Sequence, residues 1–132
     1  MKLQEHDAAS LHTITGYGED WIAVNAQRYS GSLLVMPEGV LESWQPQRFE
    51  DLDALALEAI SLRKPDLVLL GTGALQRFLH PRLSTRITAC GIGLECMATP
   101  AACRTYNILM AEGRRVLAAL LPTQPHQGEP AP

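Results

Sequence analysis

At 132 residues the chain has the length of one domain, with room for a single core between a sheet and its covering helices. Hydrophobic residues make up 46% and charged residues 19%, which excludes the disordered and fibrous classes. A formal net charge of -3 with 11 Lys+Arg excludes nucleic-acid partners held through a broad phosphate-binding surface.

The first ten residues contain Glu5, His6 and Asp7 and no apolar core of a secretory signal. The expectation is a cytoplasmic protein with a flexible N-terminal arm over 1–12 and one domain over 13–123. Short apolar-rich segments at 13–17, 21–24, 31–36 and 40–44, separated by turn residues, predict strands in adjacent hairpins. Pro37-Glu38-Gly39 is the tight-turn signal between the last two.

From Asp51 the period becomes helical. Leu52, Leu55, Ala59 and Leu62 share one stripe, with Asp51 as the expected N-cap and Pro65 as the stop. Leu57 and Ile60 fall off that stripe, which offers them either to a broad buried face or to a contact outside the sheet. Residues 67–70 are a continuous apolar run, the mark of a strand covered on both faces. That run is far too short to cross a bilayer, so no membrane insertion is expected.

Gly71-Thr72-Gly73 breaks the strand, and Pro81 opens a second helix with Leu83, Ile87 and Cys90 at helical spacing before Gly91. A strand follows at 93–97. Thr99-Pro100 reads as an N-cap followed by Pro at the first helical position, and the third helix runs to about Glu112 and Gly113. A last strand at 116–121 stops at Pro122. The composition of 124–132 cannot bury surface and predicts a disordered tail. This order predicts an α/β domain with a mixed β-sheet, antiparallel at its N-terminal hairpins and parallel across right-handed β-α-β crossovers.

In such sheets ligands gather beyond the carboxyl ends of parallel strands. Gly71, Thr72 and Gly73 offer backbone N–H groups there, and Thr99 begins a helix whose amides do likewise. Arg104 and Asn107, three residues apart, project from one side of that helix. These six residues predict a small, positively biased pocket for a carboxylate or phosphate. The competing view is a tight strand exit with Arg104 and Asn107 bonded internally. Neither a Walker nor a dinucleotide spacing is present.

Cys103 stands in the first turn of a helix, where the dipole favours a thiolate. Yet Ala102, Cys103, Tyr106, Leu109 and Met110 share an apolar stripe, which makes Cys103 a small core hydrophobe. Glu95 suits a solvent-facing strand position, and Glu112 with Arg114 or Arg115 suits a surface ion pair. Arg63-Lys64 and Arg114-Arg115 read as cations near helix C-termini. Cys90, Cys96 and Cys103 form no CxxC pair, and His6, His12, His80 and His126 lack ligand spacing, so neither a metal nor a cofactor is expected. No base, nucleophile and orienter occur together, and no catalytic residue is assigned.

Val24-Asn25, Ser32-Leu33-Leu34-Val35-Met36-Pro37, Leu69-Leu70-Gly71-Thr72-Gly73, Gly91-Ile92-Gly93-Leu94-Glu95, Ala101-Ala102-Cys103-Arg104-Thr105-Tyr106-Asn107 and Glu112-Gly113-Arg114 together resemble a known family, in matching order over about 14–122. It is the small-domain family of undetermined biochemical function that includes a mitochondrial assembly factor for respiratory complex I and an adipogenesis-associated protein. The resemblance implies a three-layer single domain around a mixed sheet, no catalytic residues to carry over, and an assembly role through protein contacts. Ala98 stands where many members look to have Asp, so no essential carboxylate is implied there. The expected function is thus a cytoplasmic protein-binding or assembly module with an unidentified protein partner; a homo-oligomer is left open. The alternative is an enzyme or small anionic-ligand binder using the Gly71-Thr72-Gly73 and Thr99 to Asn107 edge.

Overall fold

Alternation of apolar side chains across short strands decides the layering of this chain, whose residues 11–125 are described by a computed structural model. Strands β1 (Ile14–Tyr17), β2 (Trp21–Val24) and β3 (Gln27–Ser30) form an antiparallel three-stranded sheet. Strands β4 (Leu33–Val35), β5 (Leu41–Ser43), β6 (Leu67–Gly71), β7 (Gly93–Met97) and β8 (Val116–Leu120) form a second sheet in the order β5-β4-β8-β6-β7. Helix α1 (Ala54–Ser61) precedes β6, α2 (Pro81–Thr88) joins β6 to β7, and α3 (Thr99–Ala111) joins β7 to β8. β6 is parallel to β7 and β8, whereas β4 is antiparallel to β8 and β5.

The large sheet is mixed and buried on both faces. Leu34, Val68, Leu70, Leu117 and Ala119 point towards Leu57, Ile60 and Ile87 of α1 and α2. Their neighbours Leu33, Val35, Leu69, Ala118 and Leu120 point the other way, towards α3 and the small sheet. Period-two alternation thus yields three layers: two helices, the large sheet, and α3 beside the small sheet. Each fully buried Leu contributes about 1.5–3 kcal/mol relative to exposure.

Three features differ from the sequence reading. The first hairpin does not extend the mixed sheet; with β3 it makes its own, whose apolar face of Ile14, Ile22 and Val24 packs into the α3 layer. β3 was not anticipated because Gln27–Ser30 shows no apolar alternation, and its turn lacks glycine. Asn25 and Ala26 take φ of 51° and 71°, the left-handed pair a two-residue hairpin needs. Side-chain bonds hold them there: Thr13 N donates to Asn25 Oδ1 and Ala26 N to Thr15 Oγ1, each at 2.9 Å.

The third difference is α1. Asp53, not Asp51, is its N-cap, accepting from Ala56 N at 2.9 Å, and Phe49–Asp51 form a 3-10 turn before it. Leu57 and Ile60 are fully buried, which removes them as a contact surface, while Leu55 and Leu62 of the expected buried stripe are 76% and 72% exposed. The helix carries two apolar stripes, and periodicity cannot say which of them meets the sheet.

Residues 1–10 of the expected arm and 126–132 of the expected tail lie outside the described residues. Within them, His12 N donates to Pro37 O at 2.9 Å and Gln124 N to Glu19 O at 2.8 Å. Among the described residues no helix is long and apolar enough to cross a membrane.

Candidate functional site

β6, β7 and β8 end side by side, and the glycine turn after β6 lies against the start of α3, with the exit of β8, which the sequence reading left out, beside them. Gly71, Thr72, Gly73 and Thr99 are all buried and adjacent. Their amides, however, face inward. Thr72 N donates to Met97 O at 2.9 Å, Thr99 N to Gly73 O at 2.8 Å, and Gly73 N to Thr99 Oγ1 at 2.9 Å. Thr99 Oγ1 donates in turn to Leu121 O at 2.6 Å. One hydroxyl therefore ties the exits of β6 and β8 to the start of α3. This close approach requires glycine at Gly71, where a Cβ would lie 2.9 Å from Thr99 Oγ1 and 3.1 Å from Thr99 Cα.

Thr99 is consequently not the N-cap expected of it. Ala98 occupies that position and has no side-chain acceptor to cap with, while the Thr99 hydroxyl is committed to the β6 and β8 exits. Thr72 Oγ1 likewise serves the following loop, donating to Leu75 O at 2.6 Å and accepting from Arg77 N at 3.1 Å.

Arg104 and Asn107 do not join this cluster, which corrects the predicted convergence on an anion. Asn107 Oδ1 accepts from Ile14 N at 3.0 Å and its Nδ2 donates to Ile14 O at 2.8 Å, so the amide pairs with β1 as a neighbouring strand would. Arg104 donates to Tyr17 Oη at 2.9 Å on the exposed surface. Between them Tyr106 Oη donates to His12 O at 2.7 Å. This face of α3 holds the small sheet and the segment before it.

The remaining chemical groups are quiet. Cys103 is 1% exposed, and burial pushes its thiol from the usual 9.0 up to about 12, so it is no thiolate at neutral pH. Burial also raises the Cys96 thiol and the Tyr106 phenol. Glu95 is exposed. Glu112 makes no ion pair among the described residues; Arg115 instead donates to Arg63 O and Lys64 O, both at 3.0 Å, closing the C-terminal end of the α1 segment.

Sequence reasoning missed the loop that leaves Gly73. Residues 74–78 are exposed, and Leu75 and Phe78 stand 74% and 75% in solvent. Arg77 between them lies over the Phe49 ring at 4.2 Å and pairs with Glu50 at 3.1 Å. Its own backbone hydrogen bond first, then Arg77, hold the Glu50 carboxyl below the usual range. A cleft of about 280 Å³ adjoins this rim, lined in part by Gln47, Phe49, Thr72 and Pro122. The available signal was two bulky apolar residues in a segment with neither strand nor helix period.

A family model described as Protein of unknown function (DUF498/DUF598) matches residues 14–121. An uncharacterized protein of Rhodobacter capsulatus is 38% identical over 122 residues, covering 92% of this chain and 94% of its own length. The Danio rerio protein named NADH dehydrogenase (ubiquinone) 1 alpha subcomplex assembly factor 3 is 29% identical over 124 residues, covering 92% of this chain and 71% of its own. Among solved structures, the Bordetella pertussis protein described as a Mth938-like domain is similar at a TM-score of 0.80 and 38% identity, over 92% of this chain and 94% of that one.

Proposed function

Because this chain belongs to the DUF498/DUF598 family of proteins of unknown function, we propose that it is a cytoplasmic protein-binding module that acts in assembly of a multi-subunit complex. The observation that carries this reading is the similarity, over 92% of the chain, to a protein named as an assembly factor of an NADH dehydrogenase subcomplex. By that likeness the partner is a subunit of such a dehydrogenase or of a comparable assembly.

The surface supports binding over catalysis. Leu55, Leu62, Leu75 and Phe78 are each more than 70% exposed. The anion-binding alternative loses its donors, since the amides of Thr72, Gly73 and Thr99 are bonded internally. A reducing compartment suits the three unpaired cysteines, of which Cys90 is exposed.

The test is affinity capture with the purified domain from the cell that makes it, mass spectrometry, and sedimentation of the reconstituted pair. A stoichiometric complex with a subunit of a larger assembly is expected. A domain that captures nothing stoichiometric and sediments alone overturns the reading. Fractionation beside a cytosolic marker tests the location.

A further inference from the structure

Among the described residues β5 is a free edge of the large sheet. Trp44 N donates to Ser32 O and Met36 N to Val40 O, which sets the phase of its pairing with β4. In that phase Glu42 exchanges bonds with Leu34, and the N–H and C=O groups of Leu41 and Ser43 point away from the sheet. Beside this edge runs a groove of about 680 Å³, walled by Glu42, Ser43 and Trp44 on the strand side and by Leu55, Ala56 and Ala59 of α1. Leu55, Ala59 and Leu62 follow at helical spacing along α1, and the two leucines are the exposed ones. The apolar period that the sequence shows is real, and it faces water next to a strand edge that no described residue covers.

Resting on the reading of the chain as a protein-binding module, we propose that this groove receives an extended segment of the partner, added to β5 as a sixth strand. On the face that it turns to α1 the segment carries an apolar side chain against Leu55 and Ala59 and, at the next position on that same face, Lys or Arg near Asp51 and Asp53. Extension follows from the edge, since outward donors and acceptors two residues apart match a strand. Positive charge follows from the lining, which holds no Lys or Arg and three carboxylates: Glu42 is paired with Arg63, whereas Asp51 and Asp53 make no ion pair among the described residues. A second copy fits poorly: its own edge segment, residues 40–46, carries no Lys or Arg to meet Asp51 and Asp53.

The probe is a blocked octapeptide of two Lys-Thr-Val-Thr repeats, which sets Lys and Val on one face, with two Glu-Thr-Val-Thr repeats as its counterpart, titrated into the isotope-labelled protein. The Lys/Val peptide is expected to shift the Leu41 and Ser43 amides and slow their hydrogen exchange, and the Glu/Val peptide to do neither. Ser43→Pro removes one outward donor without touching the bonds to β4, and Leu55→Glu spoils the helix wall. Each is expected to weaken binding by about tenfold or more, with the thermal melt of the free protein preserved.

Equal binding of the two peptides, or shifts that map instead to Leu75 and Phe78, overturns the groove assignment. So does a self-associating chain that Ser43→Pro or Leu55→Glu renders monomeric, which gives the edge to a second copy. If both variants capture the native partner as well as the unaltered chain does, the groove assignment falls and the assembly reading stands. If the peptide binds at β5 while the unaltered chain captures no partner, the assembly reading falls and the groove stands.

Discussion

The Thr99 hydroxyl accepts the Gly73 amide at 2.9 Å and donates to the Leu121 carbonyl at 2.6 Å, so one buried side chain closes the edge where a parallel sheet usually opens to a ligand. Thr99→Ala leaves both backbone groups buried and unpaired. An unpaired buried group costs about 1–3 kcal/mol, so the loss of two is expected near 2–6 kcal/mol, above the roughly 1 kcal/mol of an N-cap. Thr99→Ser keeps the hydroxyl and is expected to recover most of it. Denaturant titration of the three proteins checks this; an alanine variant as stable as the unaltered chain refutes the clamp.

Arg104 and Asn107 share a side of α3 but differ in what they hold. Asn107→Ala removes both bonds to Ile14 and is expected to cost about 2 kcal/mol, with faster hydrogen exchange in β1. Arg104→Ala removes one exposed bond to Tyr17 and is expected to cost under about 1 kcal/mol. Equal losses, or a larger one for Arg104, would contradict this division.

The Cys103 thiol should resist alkylation at neutral pH in the folded protein, while exposed Cys90 reacts. Because burial raises the folded thiol from 9.0 to about 12, the unfolded chain releases this proton first. Stability is therefore intact below about pH 9 and falls as pH rises towards 12. Cys103→Ala is expected to flatten that alkaline loss, as read from melts across the range. A slope unchanged by the substitution would assign the loss to other groups.

Leu75→Ser and Phe78→Ser change side chains that stand in water and are expected to alter stability by less than about 0.5 kcal/mol. Melts check this directly. A drop beyond about 1 kcal/mol would mean that the rim packs on the domain.

Much of the fold is legible in the sequence because it rests on local signals. The buried run ending at Leu70, the glycine break after it, Pro81 and Thr99-Pro100 each announce an element. What stays hidden depends on which surfaces the topology brings together. The two stripes of α1 look alike until the sheet and α2 take Leu57 and Ile60, leaving Leu55 and Leu62 outside. β3 is polar and follows an Asn-Ala turn whose left-handed backbone is held by Thr13 and Thr15. At the candidate site, adjacency of the glycine turn and Thr99 was readable from strand order. The use of their amides was not, since Leu121, Gly73 and Thr99 meet only after β8 has entered between β4 and β6.

The most direct measurement is the amount of each assembled respiratory and other multi-subunit complex, read on native gels from cells lacking this chain. One complex is expected to fall and its unassembled subunits to accumulate. Both effects should be reversed by the unaltered chain and equally by Cys103→Ser. Normal assembly of every complex, or rescue that fails with Cys103→Ser although that variant folds, would contradict a module that works by binding.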